Sequence, residues 1–317
     1  MASKGKAGER TVEVDGRELK LTNLDKVLYP KAKFTKGEVI DYYARIAPAI
    51  VPHLAGRPLT LRRFPEGVDD LDAAFFEKRC PKHRPKWVKT TNVDAGPRAG
   101  GIDFCVCDGL PTLIWMAQLA ALELHPSLSL SRRLEQPTVL AFDLDPGPPA
   151  NVVDCCRIAL RLRDLFGHFD LECFPKTSGS KGLQVYVPLN TKTDYDETKP
   201  FARAMAQFLE KQTPDQVISK MSKAERKGKV FVDWSQNHQR KTTIAVYSLR
   251  ARERPTVSTP VSWEEVERAL RQEDSDLLVF ESDAVLERLD RDGDLFAPVL
   301  ERKQRLPDFA KLAGAAA

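Results

Sequence analysis

The chain has 317 residues, 42% hydrophobic and 30% charged, which allows one large or two modest domains of ordinary globular composition. No apolar run approaches the ~20 residues that a membrane helix needs. The opening MASKGKAGER lacks the apolar stretch of a secretory signal, so membrane-spanning and secreted classes are set aside and a cytoplasmic protein is expected. The net charge of +4 is unevenly spread: residues 217–254 hold ten Lys/Arg against three acids, and residues 264–294 hold twelve acids against four Arg. A basic block of the first kind can neutralise phosphates, although a charge run by itself is more often a solvated face.

In chain order, residues 1–10 read as a disordered basic arm. Residues 11–22 alternate around Asp15-Gly16, the pattern of a β-hairpin. Thr35 and Glu38 form a capping box that opens a helix through about residue 54. Pro111 opens a second, strongly apolar helix expected to run to about Leu124. Residues 138–144 (TVLAFDL) read as an apolar strand, and Asn151 caps a helix ending near Gly167. Strands at 171–174 and 183–189 flank a Gly-Ser loop, a helix covers about 197–211, and strands follow near 229–234 and 243–249. Ser262 and Glu265 make another capping box, and Ser282 is expected to cap the last helix. There is no internal repeat and no low-complexity linker. The fold class is therefore α/β (α+β): residues 11–135 as a supporting lobe, 136–300 as a core around one sheet, and 301–317 as a tail.

Six cysteines occur, and without a secretory signal no disulfide is expected. Cys80, His83, Cys105 and Cys107 have the donor chemistry of a tetrahedral zinc site, with buried thiols as the plainer alternative.

The acids carry more information. Asp143 and Asp145 sit in LAFDLDPG, two apart on a strand, so both carboxylates leave one face about 6–7 Å apart along the chain. Like charges held together raise each other's pKa unless a cation compensates, and hard oxygens suit Mg²⁺ or Mn²⁺. Asp233 in KVFVDWSQN is delivered in the same way at the end of another apolar strand. Three such carboxylates could hold two metals for an in-line displacement at phosphorus. An apolar strand ending in D-x-D also opens the haloacid dehalogenase-type phosphatases, in which Asp143 would be the nucleophile. Between two strands, Lys176–Gly182 (KTSGSKG) offers glycines for close backbone approach, the hydroxyls of Ser178 and Ser180, and the charge of Lys181. It lacks Walker A spacing. Arg226, Gln236, Lys241 and Arg250 add donors around the same motifs.

FDLDPG, TSGSKGL and VDWSQN, in this order and with TNLDKVLYP, FFEK, LELHP and SLRAR, resemble the archaeo-eukaryotic primase superfamily, and closely the polymerase domain of the bacterial end-joining ligase LigD. The resemblance covers roughly residues 11–300. It implies a two-lobed catalytic core with a sheet related to the RNA-recognition (RRM-like) fold, cupped by an N-terminal lobe. It implies template-dependent extension of primers and filling of gaps, with two Mn²⁺ or Mg²⁺ ions and an NTP or dNTP substrate. By that resemblance Asp143, Asp145 and Asp233 are metal ligands. Ser178, Ser180, Lys181, Arg226, Gln236, Lys241 and Arg250 are nucleotide contacts, and His125 lies near the incoming sugar. Lys26 and Lys36 hold the 5′-phosphate of a recessed or gapped DNA end, and Phe75 and Phe76 stack on the template. Gln184 stands where the family usually has His. Ku and an ATP-dependent DNA ligase are the partners that the family implies, in a bacterial or archaeal cytoplasm. No K-x-D-G adenylation motif is present, so ligation is not expected of this chain. A non-catalytic DNA-end binding module is the main alternative. It would keep Lys26, Lys36 and the phenylalanines yet tolerate loss of the acids.

Overall fold

The computed structural model describes residues 9–94, 96 and 100–307. Most of the arm expected over residues 1–10, and residues 308–317 of the tail, lie outside the described residues. Among the described residues no helix is long and apolar enough to cross a membrane.

The chain forms two compact units that interleave in sequence. One contains residues 1–126, 244–257 and 280–293, and the other 127–243, 258–279 and 294–317. The boundary expected at 135/136 therefore falls at 126/127, and two short segments of the expected core belong with the N-terminal unit.

In the first unit, strands β1 (Glu9–Val14) and β2 (Arg17–Thr22) form the expected hairpin, with Asp15 and Gly16 both at positive φ. A short pair, β3 (Val27–Tyr29) and β4 (Phe34–Thr35), leads into helix α1 (Lys36–Leu54). The Thr35/Glu38 capping box is present with both reciprocal hydrogen bonds. The helix buries Val39, Tyr43, Ile46 and Ile50 along one stripe. Strand β5 (Pro58–Arg63) pairs with β6 (Phe75–Glu77), with β8 (Gly101–Val106) and with β9 (Ala121–Pro126), while β7 (Thr90–Asp94) extends the sheet beyond β8. Helix α2 covers only Leu110–Gln118. The helix expected to reach Leu124 stops because Ala120 turns into the left-handed region at φ 56°, and the apolar run after it is the buried strand β9. A short continuous apolar run does not distinguish strand from helix.

In the second unit a five-stranded sheet has the order β11-β12-β10-β14-β13. Its strands are β10 (Val139–Pro146), β11 (Phe174–Thr177), β12 (Leu183–Pro188), β13 (Val217–Ile218) and β14 (Val230–Asp233). All pairings are antiparallel except β13 with β14. Helix α3 (Val152–Gly167) packs on β10 and β12, with Phe166 against Phe142 at 5.4 Å between ring centroids. Phe142 thus faces α3, and Asp143, by alternation, faces away. Helices α4 (Tyr195–Gln212) and α5 (Trp263–Gln272) both begin with capping boxes.

Three boundaries differ from expectation. Residues 171–173 belong to the exit from α3, with Leu171 N–H bonded to the Phe166 carbonyl, and the strand begins at Phe174. Residues 243–249 carry a single isolated bridge, Leu249 to Val257, with Tyr247 at positive φ. Ser282 is the first helical residue of Ser282–Asp292, and Glu281 occupies the cap position.

Zinc at Cys80, His83, Cys105 and Cys107 is overturned. Cys80 and Cys105 form a disulfide that ties the loop after β6 to β8, which takes two of the four donors, and Cys107 is a buried free thiol. The expectation that no disulfide forms fails with it.

Candidate active site

Four strands of the second unit bring one row of side chains together. Lys176 on β11 stands opposite Gln184 on β12, Gln184 opposite Asp143 on β10, and Asp143 opposite Asp233 on β14. Directly opposed residues share a face, so the row runs amine, amide, acid, acid across the sheet. Asp145 follows two residues on, opposite Phe231.

Burial, and then the charge of Asp145, push the Asp143 carboxyl well above the ordinary carboxylate range. The Gln184 hydrogen bond works against this, Asp233 adds to it, and Lys176 opposes it. Asp143 Oδ1 is buried and has no hydrogen-bond partner. A buried anion with an unsatisfied oxygen and two acidic neighbours is costly unless a cation compensates, so these residues fit a hard divalent metal.

Asp233 is turned differently. Its Oδ1 accepts from Ser235 N–H (2.9 Å) and Ser235 Oγ (2.6 Å), and its Oδ2 accepts from Gln236 Nε2 (2.9 Å), so it caps the following 3₁₀ turn. Among the described residues no three His, Cys, Asp or Glu side chains form a set that could hold a metal as they stand. Asp233 would have to exchange its bond to Gln236 for one to a metal.

Two glycines let the chain close around the acids. A Cβ on Gly182 would lie 2.1 Å from the carbonyl oxygen of Leu144, the residue between Asp143 and Asp145. A Cβ on Gly147 would lie 1.9 Å from the Arg226 carbonyl oxygen. The expected phosphate loop is a tight turn organised by Ser178. Its Oγ accepts from Ser180 N–H (3.2 Å) and Gly182 N–H (3.1 Å), leaving Ser180 and Lys181 exposed at the tip. Arg226 lies over the Phe231 ring at 3.8 Å, and its buried Nε has no partner. Lys241 is exposed.

Sequence reasoning counted Asn237 only as a polar donor after Asp233 and Lys176 only as the start of the phosphate loop. Lys176 is fully buried with its ammonium donating to Ser258 Oγ at 2.6 Å. Asn237 gives its carboxamide to both backbone groups of Ala141, at 2.9 and 2.8 Å, where β14 has already turned away. The amide thereby replaces the missing ladder partner of β10 and holds the Asp233 turn against it.

The first unit carries a second cluster. Lys26 and Lys36 are brought together by the bond from Lys36 N–H to the Lys26 carbonyl. Lys26 is paired with Glu66 at 2.7 Å, and Lys36 is buried and donates to the Thr22 carbonyl. Burial first, then the charges of Lys26 and Arg63, lower the Lys36 amine to about 8. Phe75 and Phe76 are 42% and 59% exposed, each under an arginine: Arg63 lies 5.2 Å from Phe75 and Arg62 lies 5.2 Å from Phe76. His125 and Arg250 both bond to Glu123, at 3.1 Å each. Glu123 was not anticipated because its segment read as helix. The i, i+2 spacing of Glu123 and His125 would have shown it on a strand.

The model of the LigD primase-polymerase domain family matches residues 35–296. The multifunctional non-homologous end joining protein LigD of Mycolicibacterium smegmatis is 44% identical over 283 residues, 89% of this chain and 36% of that protein. The LigD protein of Mycobacterium tuberculosis is 42% identical over 311 residues, 92% of this chain and 39% of its own length. The chain thus spans about two fifths of these curated relatives. The polymerase domain of Mycobacterium tuberculosis ligase D, solved in complex with DNA, superposes with a TM-score of 0.81 at 40% identity, covering 90% of this chain and 98% of that one. The chain belongs to the LigD primase-polymerase domain family and is a nucleotidyltransferase of that class.

Proposed function

We propose that the chain extends primers and fills gaps on a DNA template during the joining of broken ends, with Asp143, Asp145 and Asp233 as the ligands of two divalent cations, Mn²⁺ or Mg²⁺. The observation that carries this reading is the Asp143–Asp233 pairing beside Asp145, with a buried, unsatisfied Asp143 oxygen. Bound cations would supply charge for the primer 3′-hydroxyl and the departing pyrophosphate. The protein's own share is positioning. The Ser178 turn, Lys181, Arg226, Gln236 and Lys241 line the acid-bearing unit as donors for a triphosphate. His125 and Arg250 serve the sugar and phosphates of an NTP or dNTP. Lys26 and Lys36 form a compact cationic pair suited to a terminal 5′-phosphate, and Phe75 and Phe76 offer rings on which template bases can stack. DNA with recessed or gapped ends is the substrate, and Ku and an ATP-dependent DNA ligase are the partners.

The test is primer extension on a gapped duplex with a downstream 5′-phosphate, with Mn²⁺ or Mg²⁺ and NTPs or dNTPs in parallel. Templated extension that disappears in Asp143→Ala/Asp145→Ala and on chelation is the expected result. DNA binding without extension under every condition would leave only the end-binding module.

A further inference from the structure

Glu123 is 1% exposed, yet five donor contacts converge on its two oxygens. Oε1 accepts from Arg250 Nε (3.1 Å), from the backbone N–H of Ala251 (3.1 Å) and, more loosely, from Arg62 Nη1 (3.5 Å). Oε2 meets His125 Nε2 (3.1 Å) and the same Arg62 nitrogen (3.4 Å). Arg62 in turn lies over Phe64 (4.9 Å) and Phe76 (5.2 Å), and Phe76 meets the His125 ring edge-on at 5.7 Å. The pairing of β6, β5 and β9 sets this row: Phe76 opposite Arg62, Arg62 opposite Glu123.

Burying a carboxylate is costly unless its partners are well placed. Here the partners are three side chains, Arg62, His125 and Arg250, and the backbone N–H of Ala251. We propose that Glu123 is a positioning residue of the polymerase, holding Arg250 and His125 in the geometry in which they meet the nucleotide and tying both to the Arg62–Phe76 stack. This rests on the nucleotide-contact reading of Arg250 and His125 given above. The Ala251 bond fixes the backbone just past Arg250, and the charge-assisted bond fixes its guanidinium. The His125 bond selects the tautomer with the proton on Nε2, which leaves Nδ1 as an acceptor for a hydroxyl of the incoming sugar. Burial keeps the ring neutral, the largest influence on it. Glutamine cannot replace Glu123, because its amide would turn a donor toward Arg62, Arg250 or His125.

The test is steady-state primer extension with the full chain, wild type against Glu123→Gln, Arg250→Gln, His125→Gln and the Glu123→Gln/Arg250→Gln double variant. Glu123→Gln is expected to raise the nucleotide KM about tenfold or more, with a smaller change in kcat. The double variant should fall short of the product of the two single effects, since Glu123 acts through Arg250 as well as through His125. A wild-type KM in Glu123→Gln, or effects that multiply in the double variant, overturns the proposal while leaving the nucleotide reading intact. A wild-type KM in both Arg250→Gln and His125→Gln overturns the nucleotide reading and this proposal together. Should Glu123→Gln fail to fold, ¹⁵N NMR of the wild-type chain with labelled histidine decides: the Nε2–H tautomer of His125 at neutral pH is expected, and the Nδ1–H tautomer refutes the role.

Discussion

Replacing Gly182 by alanine adds one methyl group where the backbone closes on Leu144, the residue between Asp143 and Asp145. The new Cβ would stand 2.1 Å from the Leu144 carbonyl oxygen, 3.2 Å from its carbon and 3.4 Å from Pro146 Cδ. Ordinary contact begins near 3.4 Å, so β12 and β10 must part by more than 1 Å at the residue between Asp143 and Asp145. Two costs arise. Overpacking of this kind is worth about 1–3 kcal/mol. Spreading the Leu144–Leu183 pairing weakens ladder bonds worth about 1 kcal/mol each. A loss of roughly 2–4 kcal/mol in denaturant-determined stability is expected. Activity should fall further than stability accounts for, by about a hundredfold in kcat/KM, because a shift of about 1 Å at reacting groups costs that much. Urea unfolding and primer extension on the same preparation measure both. Wild-type stability and wild-type activity in Gly182→Ala would falsify the claim that this glycine spaces the acids.

Lys36 supplies a pH test. Its amine loses its charge near 8 in the folded chain, so preference for a 5′-phosphorylated end over a hydroxyl end should decline as pH rises from 7 to 9.5; a flat ratio of the two Kd values counts against the phosphate role. The linkage sign is opposite for folding. Between about 8 and 10.5 the unfolded chain holds a proton that the folded chain has lost, so this group makes stability rise with pH through that window. Asn237→Ala leaves the N–H and C=O of Ala141 unpaired in a buried place, at about 1–3 kcal/mol each, and equilibrium unfolding should register the sum. Reducing the Cys80–Cys105 disulfide, which spans 25 residues, should lower stability by about 3 kcal/mol on loop-entropy grounds. Melting curves with and without reductant read this directly, and coincident curves would dismiss the cross-link.

Local chemistry made much of the fold legible. Both expected Ser/Thr capping boxes, the Asp15-Gly16 hairpin and the Asn151 cap each depend on residues a few positions apart, and each forms. The alternation in FDLD placed two acids on one face for the same reason. What stayed hidden depends on register between distant strands. Nothing in the spacing of Lys176, Gln184, Asp143 and Asp233 announces that they line up across four strands. Glu123 was concealed because an apolar run hid a strand behind a helix, and with it went the carboxylate that gathers Arg62, His125 and Arg250. The Cys80–Cys105 pair was missed because compartment reasoning takes no account of a loop cysteine brought within reach of strand β8.

The interleaving of the two units has a practical consequence. The chain passes between them at 126/127, 243/244, 257/258, 279/280 and 293/294. No single cut therefore yields a fragment that contains one whole unit and nothing of the other. The first unit waits on 244–257, made more than a hundred residues after its first segment ends at 126. The natural module for transplantation into a fusion protein, or for recombination between relatives, is the whole span that holds both units. A crossover inside it would have to exchange sequence on both sides of several of these passages at once to leave either core intact.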